Sequence, residues 1–116
     1  MRHRKKGKTL DRKVGPRQLL LRNMAASLVL YEKIKTTRAK AQAVRPLVER
    51  LVTLGKINTL YNRRLLQKQL FTENAIKKIL EVLGPRYKER KGGYTRMINI
   101  KQRQGDGAPV VQVEFV

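Results

Sequence analysis

Apolar residues recur along this chain with two different periods, and the change of period marks the elements. Leu20, Met24, Ser27, Leu28 and Tyr31 fall at i, i+4, i+7, i+8 and i+11, one face of a helix with a period near 3.6. Leu21, Ala25 and Val29 widen that face, and Arg17 and Arg22 sit away from its centre. Gly15-Pro16 precedes it, and proline suits the first helical position, where its missing N–H is not needed. From Lys33 to Thr36 polar and β-branched residues alternate, which predicts a short strand with Ile34 and Thr36 facing inward. Thr37 can cap a second helix from about Arg38 to Leu54, whose stripe is Val44, Leu47, Val48, Leu51 and Leu54. Pro46 lies inside that helix, but the stripe keeps phase across it, so a kink rather than a break is expected. Gly55 is the expected terminator.

A third helix covers roughly Thr59 to Leu70, with Leu60, Arg63, Arg64, Leu66 and Leu70. Thr72 can cap a fourth, about Glu73 to Leu83, with Ile76, Ile79, Leu80 and Leu83 inward and Lys77 and Lys78 outward. Glu73 stands in its first turn, where negative charge suits the helix dipole, and Gly84-Pro85 is read as its stop. Beyond the charged loop from Arg86 to Gly93, alternation returns. Arg96, Ile98 and Ile100 oppose Met97 and Asn99, and Val111, Val113 and Phe115 oppose Val110, Gln112 and Glu114. Gly105-Asp106-Gly107 between the two runs is a turn signal, so they form a β-hairpin. The predicted fold is α+β and two-layered, in the order α-β-α-α-α-β-β. A small three-stranded mixed sheet carries the helices on one face, and together they bury the apolar stripes in one core.

The first fifteen residues break both patterns. They hold seven positive residues, one negative (Asp11), and only Leu10 and Val14 as possible anchors. Residues 1–15 are therefore expected to form an extended basic arm, disordered when free, and residues 16–116 a single globular domain. Extended, the arm reaches roughly 50 Å.

Charge then narrows the function. Lys and Arg number 28 against 8 Asp and Glu, a formal net charge of +20 on 116 residues. A compact chain with that charge repels itself and is expected to live against a polyanion. A hydrophobic content of 41% nevertheless excludes a purely disordered polycation. With no Cys there is no disulfide framework or thiolate zinc site. With His3 as the one histidine, a His-based triad or metal cluster is not expected. The longest apolar runs, Leu19-Leu20-Leu21 and Leu28-Val29-Leu30-Tyr31, are far shorter than a membrane span or signal core. The expectation is a soluble cytoplasmic protein without membrane, metal or cofactor.

Candidate chemistry is sparse. Gly7-Lys8-Thr9 resembles the end of a phosphate loop, but the glycine needed five positions earlier is Arg2 and no strand precedes it. The eight carboxylates are scattered, and Asp106 between two glycines reads as a turn residue bonding its own backbone. No enzymatic site emerges.

The basic residues carry the signal. Arg2, His3, Arg4, Lys5, Lys6, Lys8, Arg12 and Lys13 lie in the arm, and Arg17 and Arg22 in the first helix. Arg63 and Arg64 follow in the third, then Arg90, Lys91, Arg96 and Arg103 toward the end. Each cation set on a phosphate releases condensed counterions, and arginine grips phosphate oxygens with a planar fork. Within Lys91-Gly92-Gly93-Tyr94-Thr95-Arg96, the glycines Gly92 and Gly93 let backbone amides approach a phosphate, and Tyr94 is placed to stack on a base or sugar. A plain turn with a core-packed tyrosine is the alternative. Of the six aromatics, Tyr31, Phe71 and Phe115 read as core, which leaves too few for a stacking platform. Structured RNA, read by shape and phosphate contact, is the better match.

These residues also carry a resemblance. Met1 to Lys8 with Leu10 and Arg12, Leu21-Arg22-Asn23-Met24, Ile34-Lys35-Thr36-Thr37, Lys40-Ala41 and Glu49 to Leu54 are similar to the family of the seventeenth large-subunit protein of bacterial ribosomes. So are Asn62-Arg63-Arg64, Arg90 to Arg96, and Arg103 to Pro109 with Glu114. The match runs through the whole chain in order; Val14-Gly15-Pro16 departs from the polar residues usual there. The resemblance implies a structural protein, a monomer within the ribosome, that binds large-subunit ribosomal RNA near the exit of the nascent-peptide tunnel. It also implies a neighbour, the thirty-second protein of that subunit. Two rival classes lack their signatures. An architectural DNA binder needs a minor-groove wedge or dimer seam. An RNA-processing enzyme needs paired carboxylates or a metal site.

Overall fold

In the computed structural model of this chain, the structure describes residues 8–116. The expectations for Arg2, His3, Arg4, Lys5 and Lys6 lie outside the described residues. Helix α1 spans Val14–Tyr31 and strand β1 Lys33–Thr37. Helix α2 spans Arg38–Gly55 and α3 Leu60–Gln69. Helix α4, Glu73–Lys78, runs without interruption through a π-helical turn, Ile79–Leu83, into the short α5, Gly84–Arg86. Strands β2 (Thr95–Gln102) and β3 (Pro109–Phe115) complete the α+β order.

The helix starts and stops differ instructively from expectation. Helix α1 begins at Val14 rather than at Pro16, which occupies the third helical position. The N–H of that position is still one of the helix's orphans, so proline loses nothing there. The buried face of α1 is Ala25, Leu28 and Val29, flanked by Leu21 and Met24. This is one step round from the expected centre, and Tyr31 is 73% exposed. Helix α2 runs unbroken through Pro46 and buries Ala41, Val44, Val48, Leu51, Val52 and Gly55. Gly84-Pro85 does not stop the fourth helix. The chain takes a π turn before it, and Gly84 N–H donates to Ile79 O.

Between α2 and α3 the connection is made by side-chain hydrogen bonds. Thr59 Oγ1 accepts from Asn62 N–H at 3.2 Å, an N-cap bond. Asn62 Nδ2 then donates to Leu54 O and Ile57 O, at 3.2 and 3.0 Å, supplying partners that the end of α2 cannot find within itself.

The sheet order is β1-β3-β2, and both pairs are antiparallel. The expected mixed sheet is corrected here for a topological reason. Strands β1 and β2 do point the same way, but the returning strand of the hairpin lies between them, so they never pair. Register opposes Ile34 to Val113 and Thr36 to Val111 across one pair, and Thr95 to Phe115 and Met97 to Val113 across the other. These residues face the helices. A β-bulge sets Ile100 and Lys101 opposite the single Val110.

The core lies between the sheet and the helices. It joins the α1 and α2 faces to Leu66, Leu70, Ala75, Ile76, Ile79, Leu80, Leu83, Val111, Val113 and Phe115. Each large aliphatic chain fully buried there contributes about 1.5–3 kcal/mol. Its aromatic part bears out Phe115 as core but not Tyr31 or Phe71. Tyr87 and Tyr94 are buried with Phe115, with ring centroids 5.2 Å apart for Tyr87–Tyr94 and 6.1 Å for Tyr87–Phe115. Phe71 instead is 65% exposed, beneath the Arg22 guanidinium at 5.2 Å. Tyr87 donates its hydroxyl to Val116 O at 2.7 Å, which satisfies a polar tip that burial would otherwise strand.

Candidate nucleic-acid interface

Residues Arg90 to Arg96 form the best-built basic segment, and helix α2 holds it in place. Arg45, Glu49, Thr53 and Lys56 recur every three or four residues and so share one helical stripe. Arg45 donates from Nε to Thr95 Oγ1 and from Nη2 to Thr95 O, both at 3.2 Å. Thr95 donates its hydroxyl to Glu49 Oε1 at 2.8 Å. The Thr53 and Tyr94 hydroxyls share a hydrogen bond at 3.1 Å. Lys56 donates to Arg90 O, and its ammonium lies 4.8 Å from the centre of the Tyr94 ring. Burial pushes the Tyr94 phenol up, but hydrogen bonding to Lys56 and Thr53 and the lysine charge outweigh it, leaving the phenol below its ordinary value.

Anchored at both ends, the chain turns through Gly92 and Gly93, at φ 98° and 63°. Both occupy the left-handed region that side chains rarely adopt, as the sequence leads one to expect for at least one of them. A Cβ at either would meet nothing within 4 Å, so conformation rather than space calls for glycine. The Arg90 and Lys91 side chains are exposed and have no ion-pair partner among the described residues. Tyr94 is a correction. Its ring is 1% exposed, packed on Tyr87 and bonded to Thr53, so it is unavailable for stacking on a base. It fixes the loop from beneath.

The other predicted residues divide by environment. Arg96 lies across from Glu114 in register and donates to its Oε1 at 3.0 Å. Arg103 pairs with Asp106 in the hairpin turn, where Asp106 Oδ1 also accepts Ala108 N–H at 3.1 Å. That side-chain-to-backbone bond is the turn role expected of Asp106. The guanidinium and this backbone bond hold the Asp106 carboxyl far below the usual range. Arg63 pairs with Glu73 at 2.9 Å, whereas Arg64 is exposed and has no carboxylate partner among the described residues. Lys8, Arg12 and Lys13 are exposed ahead of α1, where Leu10 and Asp11 both take positive φ, a turn rather than a fully extended run. Arg17 is half-buried near the start of α1 and bonds Arg12 O at 3.4 Å; Arg22 lies one turn and more along.

The described cations therefore do not meet in one cleft. Arg90, Lys91, Gly92, Gly93 and Arg96 come together beside the sheet. Arg103 stands at the far end of β2, roughly 20 Å along it. Arg63 and Arg64 belong to the helical layer, Lys8, Arg12 and Lys13 to the approach to α1, and Arg17 to the first turns of that helix. Sequence reasoning does not single out the holding stripe Arg45, Glu49, Thr53 and Lys56. Its signal is present, as polar residues every three or four positions beside the apolar stripe of the same helix. Nor does it single out Lys33 and Lys35, although an alternation that turns Ile34 and Thr36 inward turns both lysines out.

Glu32 is the most heavily paired carboxylate. It accepts from Arg86 and lies 3.3 Å from Lys78 Nζ, which also donates to Leu30 O at 2.9 Å. Lys78 thus turns inward rather than pointing out, and it closes the end of α1. The Arg86 hydrogen bond, over the opposing effect of burial, lowers the Glu32 pKa. Among the described residues no three His, Cys, Asp or Glu side chains gather as a metal site. No helix there is long and apolar enough to cross a membrane.

The family described as "Ribosomal protein L17" matches residues 20–116. Proteins named "Large ribosomal subunit protein bL17" are similar over the whole chain. That of Thermomicrobium roseum is 49% identical over 116 residues, spanning 100% of this chain and 99% of the relative. That of Sphingopyxis alaskensis is 48% identical, spanning 100% and 84%. That of Allorhizobium ampelinum is 46% identical, spanning 100% and 82%. A family match over most of the chain and near-half identity along all of it agree with the motifs read from the sequence: the chain belongs to the ribosomal protein L17 family.

Proposed function

We propose that this chain is a structural constituent of the large ribosomal subunit that binds ribosomal RNA and carries out no catalysis. The observation that carries this reading is the surplus of cations left after folding. Five ion pairs join described residues, and only four carboxylates take part in them, in a chain of 28 Lys and Arg. Among the described residues most of the unpaired cations stand on exposed side chains, with Arg90 and Lys91 presented by a loop tied to α2. A folded body that leaves so much charge unpaired is suited to a polyanion, and membership in a ribosomal family supports RNA as that polyanion.

In this reading the arm is the part of residues 1–15 that precedes α1, and the helices and sheet that follow form a single globular domain. RNA is held by phosphate and shape contacts from the arm, the start of α1, Arg63-Arg64 and the Arg90–Arg96 segment. The location is the cytoplasmic ribosome, near the nascent-peptide exit, with the thirty-second large-subunit protein as neighbour. No sheet-borne aromatic platform competes for single strands, which favours structured RNA.

The test is sedimentation of the purified chain with large subunits in magnesium, followed by a salt titration. With six to ten phosphates engaged, affinity falls by about 10³–10⁵ between roughly 50 and 200 mM salt. Binding that ignores salt would overturn the reading. Cross-linking within assembled subunits tests the exit location and the neighbour.

A further inference from the structure

Helices α1, α2 and α3 leave a cleft of about 240 Å³ between them. Gln18, Leu21 and Arg22 of α1 line it, with Leu47 of α2 and Gln69, the last residue of α3. Positions 18, 21 and 22 are three and four residues apart and so share one face of α1. Leu21 and Leu47 pack against the core and give the cleft an apolar floor. Gln18, Arg22 and Gln69 make its rim, and no carboxylate lines it. Phe71 lies outside the lining, with its ring 5.2 Å from the Arg22 guanidinium. A cation is favoured over an aromatic face, so the ring helps to hold Arg22 at the cleft. Arg22 is half-buried and has no carboxylate partner among the described residues. Nor do the side chains of Gln18, Arg22 and Gln69 hydrogen-bond to any described residue. A guanidinium offers five donors, and each carboxamide two donors and an acceptor. An apolar floor is thus ringed by uncommitted donors and acceptors.

The rim decides the occupant. An apolar side chain from a neighbouring protein would cover the floor but take water from the polar groups around it without replacing their hydrogen bonds, which costs free energy. A phosphate would pair with Arg22 and leave the floor and both neutral amides unused. A nucleobase meets all of them, because it is apolar on its faces and carries donors and acceptors on its edges. Unpaired bases of folded RNA are splayed out of loops and bulges and hydrogen-bonded on those edges. Arginine and glutamine are the side chains that grip a base edge with two bonds at once. The cleft is smaller than the roughly 300–1,000 Å³ of most small-molecule sites, which suits one base rather than a stack. Resting on the reading of the chain as a ribosomal-RNA binder, we propose that this cleft receives a single unpaired base extruded from a loop or bulge of the RNA. Leu21 and Leu47 lie against its face, and Gln18, Arg22 and Gln69 bond its edges.

The experiment uses the full chain and a transcript of large-subunit ribosomal RNA. Wild type is compared with Gln18→Ala/Gln69→Ala and with Arg22→Lys, neither of which changes the net charge. Arg90→Ala/Lys91→Ala serves as a separate site. Melting temperature is measured for each, and affinity is followed against salt. Both charge-neutral variants are expected to melt like wild type, to lose about tenfold in affinity and to keep the wild-type salt slope, because no phosphate contact is removed. Lysine keeps the charge of Arg22 but not its planar fork, so an Arg22 that merely sat on a phosphate would tolerate the exchange. If either charge-neutral variant binds like wild type while Arg90→Ala/Lys91→Ala binds weakly, the base cleft is refuted and the RNA reading stands. A wild-type chain with no salt-dependent affinity for the transcript would sink the reading itself. Chemical modification of base edges in the transcript supplies an independent arm. An unpaired base protected by wild type and released by Gln18→Ala/Gln69→Ala supports the proposal, and identical protection by the two proteins overturns it. A photoreactive residue at position 18, in assembled subunits, separates the rival occupant. Cross-links to RNA support the base, and cross-links confined to protein overturn it.

Discussion

Gly84 packs against the backbone of Gly55, the last residue of α2. A Cβ on Gly84 would fall closer than 3.0 Å to the Gly55 carbonyl oxygen, and one on Gly55 would run into the Ile79 side chain. The two helices can approach this closely because neither residue carries a side chain. The intervening π turn, closed by Gly84 N–H on Ile79 O, brings Gly84 to the contact.

Gly84→Ala should therefore destabilise the protein, although alanine is the better helix former. Overpacking against backbone costs about 1–3 kcal/mol, because the opposing atom is not the end of a flexible chain. Gly15→Ala in the first turn of α1, where a Cβ meets nothing within 4 Å, should instead stabilise by about 0.5–1 kcal/mol. Thermal melting of both variants checks the opposite signs.

Tyr94 and its charged neighbours should separate into stability and binding. Tyr94→Ala empties a buried site and should cost about 3–5 kcal/mol, while Tyr94→Phe, which keeps the ring and loses the hydroxyl's bonds with Thr53 and Lys56, should cost less, about 1–3 kcal/mol. Arg90→Ala/Lys91→Ala should melt like wild type and lower the salt slope of RNA binding by about two. Chemical denaturation and filter binding on the same preparations distinguish the classes.

The Glu32 cluster sets an acid dependence. Its folded pKa lies below the ordinary 4.5, so its stabilisation is fully present above that value and is lost as pH falls through the lower, folded pKa. The carboxylate is 40% exposed, and solvent screening limits the gain to about 1 kcal/mol or less. Glu32→Gln should be less stable than wild type at neutral pH, and the gap should close on acidification below about pH 4.5. Denaturant midpoints measured from pH 7 to 3 would show this. A gap that stays constant with pH would mean that Glu32 acts through shape alone.

Deleting residues 2–13 should leave the fold standing. Helix α1 starts at Val14, and no residue from 8 to 13 is buried. The truncated chain should keep its helical circular dichroism and melt within roughly 0.5 kcal/mol of wild type, but bind large-subunit RNA more weakly. A large loss of helix would place the arm in the core.

Which elements exist, and which face of most of them turns inward, was legible in the chain because both depend on neighbours a few residues apart. Ile76, Ile79, Leu80 and Leu83 are buried as their spacing predicts, and so are Val111, Val113 and Phe115. Gly92 and Gly93 adopt the positive φ that their place in a turn suggests. The charge balance likewise pointed to a polyanion without any structure. What the periodicity could not supply depends on residues far apart in sequence. Arg45 meets Thr95 across fifty positions, and Tyr94 meets Thr53 across forty-one. Those contacts turn Tyr94 from an apparent stacking residue into a buried support.

By itself, then, the sequence determined the α+β alternation, the inward faces, the turns and the cationic character, since period, turn chemistry and net charge are properties of local or summed composition. The tertiary structure alone decided that β3 lies between β1 and β2, that Gly55 and Gly84 meet, that Arg96 and Arg103 are paired, and that Lys33 and Lys35 share an open face with Arg96. Each of these is fixed by which distant segments pack together, and packing selects among arrangements that the local pattern allows equally.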